Sequence, residues 1–221
     1  MSEAAPGYPD SESFATEERS RLAASLRRAI DAVMTVEDAD GAQLLAAADA
    51  IDRATVLLAG PVRAVEPAGT RRSGREQSHD DYLPRSPMVG ESSPLAPPLT
   101  WEWHEPKVIG RVVFGAGYEG PPGFVHGGVV ALAFDEVLGI ANIQSGHPGM
   151  TGTLKVKYRR PTPLYKEIRL EAWVERVEGR RIISRSTLSC EGALCAECEG
   201  IFVQPRPELA AEYFGRPIPE G

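Results

Sequence analysis

The sequence predicts an α+β fold in which one buried helix is covered by an antiparallel sheet, with a helical N-terminal extension. Three observations carry that expectation. Residues 126–141, "HGGVVALAFDEVLGIA", are apolar nearly all round, the mark of an enclosed helix. After it, the stretches 151–161, 167–178, 180–190 and 193–204 alternate apolar and polar residues, the last three joined by turns at Glu178-Gly179 and Glu191-Gly192. Period two with one polar face calls for an antiparallel sheet covered on one side, and the helix is the obvious cover. Finally, residues 16–59 are rich in Ala, Leu, Glu and Arg, with apolar residues at helical spacing.

In chain order, residues 1–14 are small and acidic with no period, and are expected to be disordered. A first helix opens near Thr16, a candidate N-cap, with Leu22, Leu26, Ile30 and Val33 on one stripe. A second, "DADGAQLLAAADAIDRATVLLAG", offers Leu44, Leu45, Ala48 and Ile51 and is stopped by Gly60 and Pro61. Together they make a helical extension at 1–60, expected as an antiparallel pair that leans on the body or on a partner subunit. Residues 61–98, dominated by Pro, Gly, Ser and Arg, read as a linker or wrapping segment, and "RRSGRE" at 71–76 as solvated loop charge. The main domain is expected at 99–205, with a strand at 107–114, a loop, the buried helix and then four strands. On the first of those four, Leu154, Val156 and Tyr158 share one face and Lys155, Lys157 and Arg159 the other; on the next, Ile168, Leu170, Ala172 and Val174 share a face. A Pro-rich tail at 206–221 reads as loop with a short helical turn.

The chain has 221 residues, a formal net charge of −7, 42% hydrophobic and 7% aromatic residues, enough for one packed core of ordinary size. The acidic balance argues against nucleic acid as the main partner. No stretch approaches the ~20 apolar residues of a membrane span, and the N-terminal residues have neither the basic nor the apolar region of a secretory signal. Cys190, Cys195 and Cys198 form an odd set that fits a reducing cytoplasm. The C-x-x-C pair sits within a strand with its side chains expected on opposite faces, which favours buried free thiols over redox or metal work.

Asp135 and Glu136 are the anomaly. Their neighbours one turn away are Ala131, Leu132, Leu138 and Gly139, and Leu132, Ala133, Gly139 and Ile140, so neither has a helical partner of opposite charge. Adjacent residues point about 100° apart on a helix. At least one carboxylate must therefore line a wall, a cleft or a subunit interface, because a dry unpaired charge is costly. A narrow wet stripe would also satisfy them. The helix start adds a second clue. His126-Gly127-Gly128 places unpartnered backbone N–H groups at the positive end of the helix dipole, where glycines let a substrate come close. Such an end suits an oxyanion, and a carboxylate further in serves as base or nucleophile, a layout for acyl transfer.

The stretch "GPPGFVHGG", the Asp nine positions after the histidine, "YRRPTPL" at 158–164 and "VERVEGRR" at 174–181 resemble the hotdog-fold acyl-CoA thioesterases of the PaaI-like branch. They are most similar to the animal thioesterase-superfamily-member type, one of which is also called carboxy-terminal modulator protein. The likeness covers about 101–204. It implies a central helix wrapped by a curved sheet, a homodimer or dimer of dimers joined sheet edge to sheet edge, and active sites at that interface. It implies Asp135 as base or nucleophile, the Gly127 or Gly128 N–H as oxyanion donor, and His126 orienting the site. Thr151 would be supplied from the other subunit to position water. Where many PaaI-like enzymes have an Asn six residues before the histidine, this chain has Gly120. Glu136 then reads as a wall or interface carboxylate, and His104 and His147 as surface residues. The basic face Lys155, Lys157, Arg159 and Arg160 is most simply solvated, while Arg159, Arg160, Arg180 and Arg181 are candidates for the CoA phosphates. The chemistry needs no metal or cofactor, and no metal-ligand cluster is present in the sequence. A non-catalytic acyl-CoA sensor is the competing reading. A hotdog hydratase fits less well, since His126 precedes the acid.

Overall fold

The computed structural model describes residues 17–60 and 85–206. The N-terminal tail, the Thr16 cap, the 71–76 cluster and the tail beyond Arg206 lie outside the described residues. Two helices come first, α1 (Glu17–Thr35) and α2 (Gly41–Leu57). The strands β1 (Thr100–His104) and β2 (Lys107–Val113) follow, then the helix α3 (Gly127–Gln144). Four more strands complete the chain: β3 (Met150–Tyr158), β4 (Glu167–Glu178), β5 (Arg181–Cys190) and β6 (Ala193–Val203). All pairings are antiparallel, in the order β1-β2-β4-β5-β6-β3.

The alternation of apolar residues explains the core. On β4, Ile168, Leu170 and Ala172 are buried, and they meet Phe134, Val137, Leu138 and Ile140 of α3 in one cluster with Phe114, Leu188 and Phe202. By length and composition α3 is the one helix among the described residues apolar enough to cross a membrane, contrary to the expectation from the sequence that no stretch approaches a span. It is instead the core helix, packed across the sheet. The β5–β6 turn uses Glu191 and Gly192, both with positive φ (49° and 80°), the requirement of a two-residue hairpin turn whose twist matches the strands.

Several expectations are corrected. The sequence suggested one strand before the helix; there are two, because Trp101 and Trp103 alternate with Thr100, Glu102 and His104 and pack from one face onto the core. Of the two readings for residues 61–98, linker or wrapping segment, the described part from 85 onward follows the second: Met88 and Val89, with Leu99, are core residues, so a segment upstream of 99 packs into the body. The two helices expected as an antiparallel pair do not bury their stripes. Leu22, Ile30, Val33, Leu44, Leu45 and Ile51 are all exposed, and α2 buries no residue at all. The part of the extension that leans on the body is α1. Its Arg27 guanidinium donates to the carbonyls of Glu91 and Ser93, and its Asp31 carboxylate accepts from Ala116 N–H at 2.9 Å and Tyr165 O–H at 3.1 Å.

The three cysteines are free and buried. Cys195 and Cys198 do not fall on opposite faces of a regular strand with only one inside. The β5–β6 register shifts between Leu188 and Ser189, leaving Cys195 as the extra residue of a bulge, and both thiols enter the same core cluster.

Candidate active site

The loop before α3 is built to deliver its first turn. Gly120 N–H donates to Phe124 O at 2.9 Å, and His126 N–H to Tyr118 O at 2.9 Å. A side chain at 120 would bring its Cβ within 2.7 Å of His126 Cα, so this chain's glycine there is a packing requirement. His126 is the N-cap, and its Nδ1 accepts from Gly128 N–H at 3.0 Å. A Cβ at Gly128 would approach that Nδ1 to 3.1 Å, which is why the second glycine lets the ring fold back. The His126 carbonyl takes the N–H groups of Val129 and Val130. Of the two glycines expected to offer an oxyanion donor, Gly128 is therefore occupied. The Gly127 N–H has no partner among the described residues. Tyr158, expected on the apolar face of β3, is exposed, and its hydroxyl donates to Gly127 O at 2.8 Å, bracing this turn.

Asp135 lies half-buried in the middle of α3, and the Thr151 hydroxyl donates to its Oδ1 at 2.7 Å. This corrects the expectation that Thr151 serves the site of the other subunit: β3 lies beside α3, so the two groups meet within one chain. Glu136 points elsewhere. Its Oε2 accepts from Ser86 Oγ at 3.0 Å, and the same Ser86 oxygen accepts from Met88 and Val89 N–H, so Glu136 ties the 85–99 segment to α3. The adjacent acids thus divide into one held near the sheet edge and one used as a strut. Burial pushes the Cys198 thiol up to about 11, and the Asp135 charge adds to that shift.

The four candidate phosphate-binding arginines do not form one cluster. Arg159 and Arg160 follow Tyr158, whose register partner is Ala196; Arg181 opposes Val203, as Met150 does. Seven residues of strand separate these ends, roughly 23 Å. Arg159 is also engaged, donating to Glu197 at 2.6 Å, and holds that carboxyl below its usual range. Arg160, Arg180 and Arg181 make no side-chain hydrogen bond or ion pair among the described residues. Lys157 also reaches Glu197, at 3.6 Å, so part of the basic face is neutralised by β6. His104 pairs with Glu102 on the surface. Among the described residues no group of three or more His, Cys, Asp or Glu is arranged to hold a metal ion. Sequence reasoning missed Ser86 and Tyr158 as supports, since an isolated Ser and a strand-end Tyr carry no periodic signal.

A family model described as the thioesterase superfamily matches residues 122–196, the stretch from the α3 approach loop into β6. The acyl-coenzyme A thioesterase THEM4 of Mus musculus is 30% identical over 106 residues, 47% of this chain and 46% of that protein. The Xenopus laevis protein of the same name is 32% identical over 91 residues, 40% and 41% of the two chains. The matched region thus spans less than half the length of these relatives. A crystal structure of a thioesterase superfamily protein superposes with a TM-score of 0.72 at 32% identity, covering 84% of this chain and 90% of that one. With most of both molecules matched at that identity, the chain belongs to the thioesterase superfamily.

Proposed function

We propose that this protein hydrolyses an acyl-CoA thioester to the free acid and CoA. The observation that carries the reading is Asp135, a carboxylate on a largely apolar helix, oriented by the Thr151 hydroxyl at 2.7 Å. The names of the THEM4 relatives support it. As general base, Asp135 takes a proton from water as the oxygen attacks the thioester carbonyl. The resulting oxyanion is stabilised by a free backbone N–H, for which Gly127 qualifies. Collapse breaks the C–S bond, and the proton held by Asp135 passes to the CoA thiolate. Acting as nucleophile instead, Asp135 would form an acyl anhydride, release CoA and be freed by water.

Gly127 and Asp135 are eight residues apart on α3, roughly 12 Å along its axis. A donor must lie about 3 Å from the oxyanion, so one thioester does not reach both groups of a single chain. We read the complete site as formed by two copies, the Gly127 of one serving the Asp135–Thr151 pair of the other. β3, which carries Thr151, is one of the two edge strands of the sheet, with most of its residues exposed, and we take it as the edge for that pairing. Antiparallel pairing of two β3 edges also brings the Arg159–Arg160 end of one copy toward the Arg180–Arg181 end of the other, which restores a shared basic site for CoA phosphates. Thiol release from a panel of acyl-CoAs tests the reading: saturable turnover is expected for at least one chain length. Binding of acyl-CoA without thiol release from any member would make the protein a sensor on this fold.

A further inference from the structure

A second polar feature lies beneath α3. Asn142, Ser184 and Ser186 are 0%, 0% and 1% exposed, within a core otherwise made largely of apolar side chains. Ser184 Oγ donates to Asn142 Oδ1 at 2.6 Å. The Asn142 amide nitrogen and the Ser186 hydroxyl have no hydrogen-bond partner among the described residues. Turning the amide over only exchanges which of its ends is satisfied. Buried polar groups are almost always paired, so two open ones, one on the partner of Ser184 and the other two residues along the same face of β5, point to a bound group.

The position of the cluster indicates which occupant. Asn142 follows Asp135 by seven residues, two helical turns, so both lie on one face of α3 about 10 Å apart along the axis. In the β5–β6 register Ser186 is opposite Cys198 and Ser184 opposite Gly200. Cys198 in turn feels the Asp135 charge. Asp135 and Asn142 thus share a face of α3, and Ser184, which bonds to Asn142, shares a face of β5 with Ser186.

We infer that Asn142 and Ser186 recognise an oxygen on the acyl group, so that the protein prefers acyl thioesters carrying a hydroxyl or carbonyl remote from the thioester over saturated chains of equal length. The inference rests on the acyl-thioester reading above. The amide offers N–H donors, and the Ser186 hydroxyl both donates and accepts, a set that fits either oxygen group. A saturated chain in the same place leaves both groups unpaired, the arrangement that discriminates most strongly against an analogue lacking the polar atom.

The test uses the full chain and medium-length acyl-CoAs of equal carbon number, saturated or with a hydroxyl moved carbon by carbon toward the far end. The best hydroxyacyl substrate should exceed its saturated counterpart in kcat/KM by at least ~10-fold. Ser186→Ala should reduce that ratio several-fold and leave Tm unchanged or raised, since it removes only an unpaired hydroxyl. A ratio near one at every position overturns the inference. So does an equal loss on both substrates, or a lowered Tm in Ser186→Ala, which would show an internal water satisfying the cluster. If no acyl-CoA is hydrolysed, the thioesterase reading fails separately, and the same preference is then read from calorimetric dissociation constants of the two ligands.

Discussion

Two helices of nearly equal length, α2 and α3, meet opposite fates. α3 has 18 residues and buries nine of them, including Phe134, Val137, Leu138 and Ile140. α2 has 17 residues, is stopped and started as cleanly, and buries none. Its start is even better made: Asp40 and Gln43 form a reciprocal capping box. The difference lies outside both helices. α3 meets a sheet whose alternating apolar rows supply a matching surface, whereas the alanines of α2 offer little area and no described element covers Leu44, Leu45 or Ile51. An apolar stripe states that a helix benefits from a partner; it does not name one. The same contrast governs polar groups. On α2 they face water, while on α3 three of them bond to other elements of the body, Asp135 with Thr151, Glu136 with Ser86 and Asn142 with Ser184.

Matched truncations measure the contrast. Leu138 is 0% exposed and Leu45 is 69% exposed. Leu138→Ala should lower the unfolding free energy by about 2–5 kcal/mol, the range for deleting a buried leucine side chain. Leu45→Ala should change it by less than ~0.5 kcal/mol, as for an exposed site. Denaturant titration of both variants reads the comparison directly, and a loss of several kcal/mol at Leu45 would mean that α2 is covered in solution after all. Asp31 gives the intermediate case. Asp31→Ala removes the acceptor of Ala116 N–H and Tyr165 O–H and should cost about 1 kcal/mol, the usual size for a hydrogen bond. An unchanged midpoint in the same titration would show that α1 is no better anchored than α2.

Much of the body was legible. α3 and its four following strands follow from period and turn residues, and Asp135 and Glu136 stood out together because carboxylates on a helix apolar nearly all round lack any local reason to be there; the resemblance chose Asp135 between them. What was illegible shares one property: it depends on contacts between distant segments that leave no period. Met88 and Val89 enter the core from a stretch that reads as Pro- and Ser-rich loop. The burial of Cys195 depends on a bulge whose register is set across β5. The choice between Gly127 and Gly128 turned on where the His126 ring folds, and the separation of Arg159–Arg160 from Arg180–Arg181 on the order of strands in the sheet. Thr151 was named through the resemblance and was expected to serve the other subunit, since nothing in the sequence says whether β3 lies beside its own α3.

The proposed function gives the two adjacent acids different work, Asp135 chemical and Glu136 structural. The most direct measurement is kcat for acyl-CoA hydrolysis by Asp135→Asn and Glu136→Gln, each with its unfolding midpoint. Asp135→Asn should keep the midpoint near wild type and lose ~10²–10⁴ in kcat, the usual contribution of a general base. Glu136→Gln should retain kcat within a few-fold and lower the midpoint, because the Ser86 contact that secures residues 85–99 is weakened. Wild-type kcat in Asp135→Asn, or an equal loss of kcat in both variants, would contradict the account.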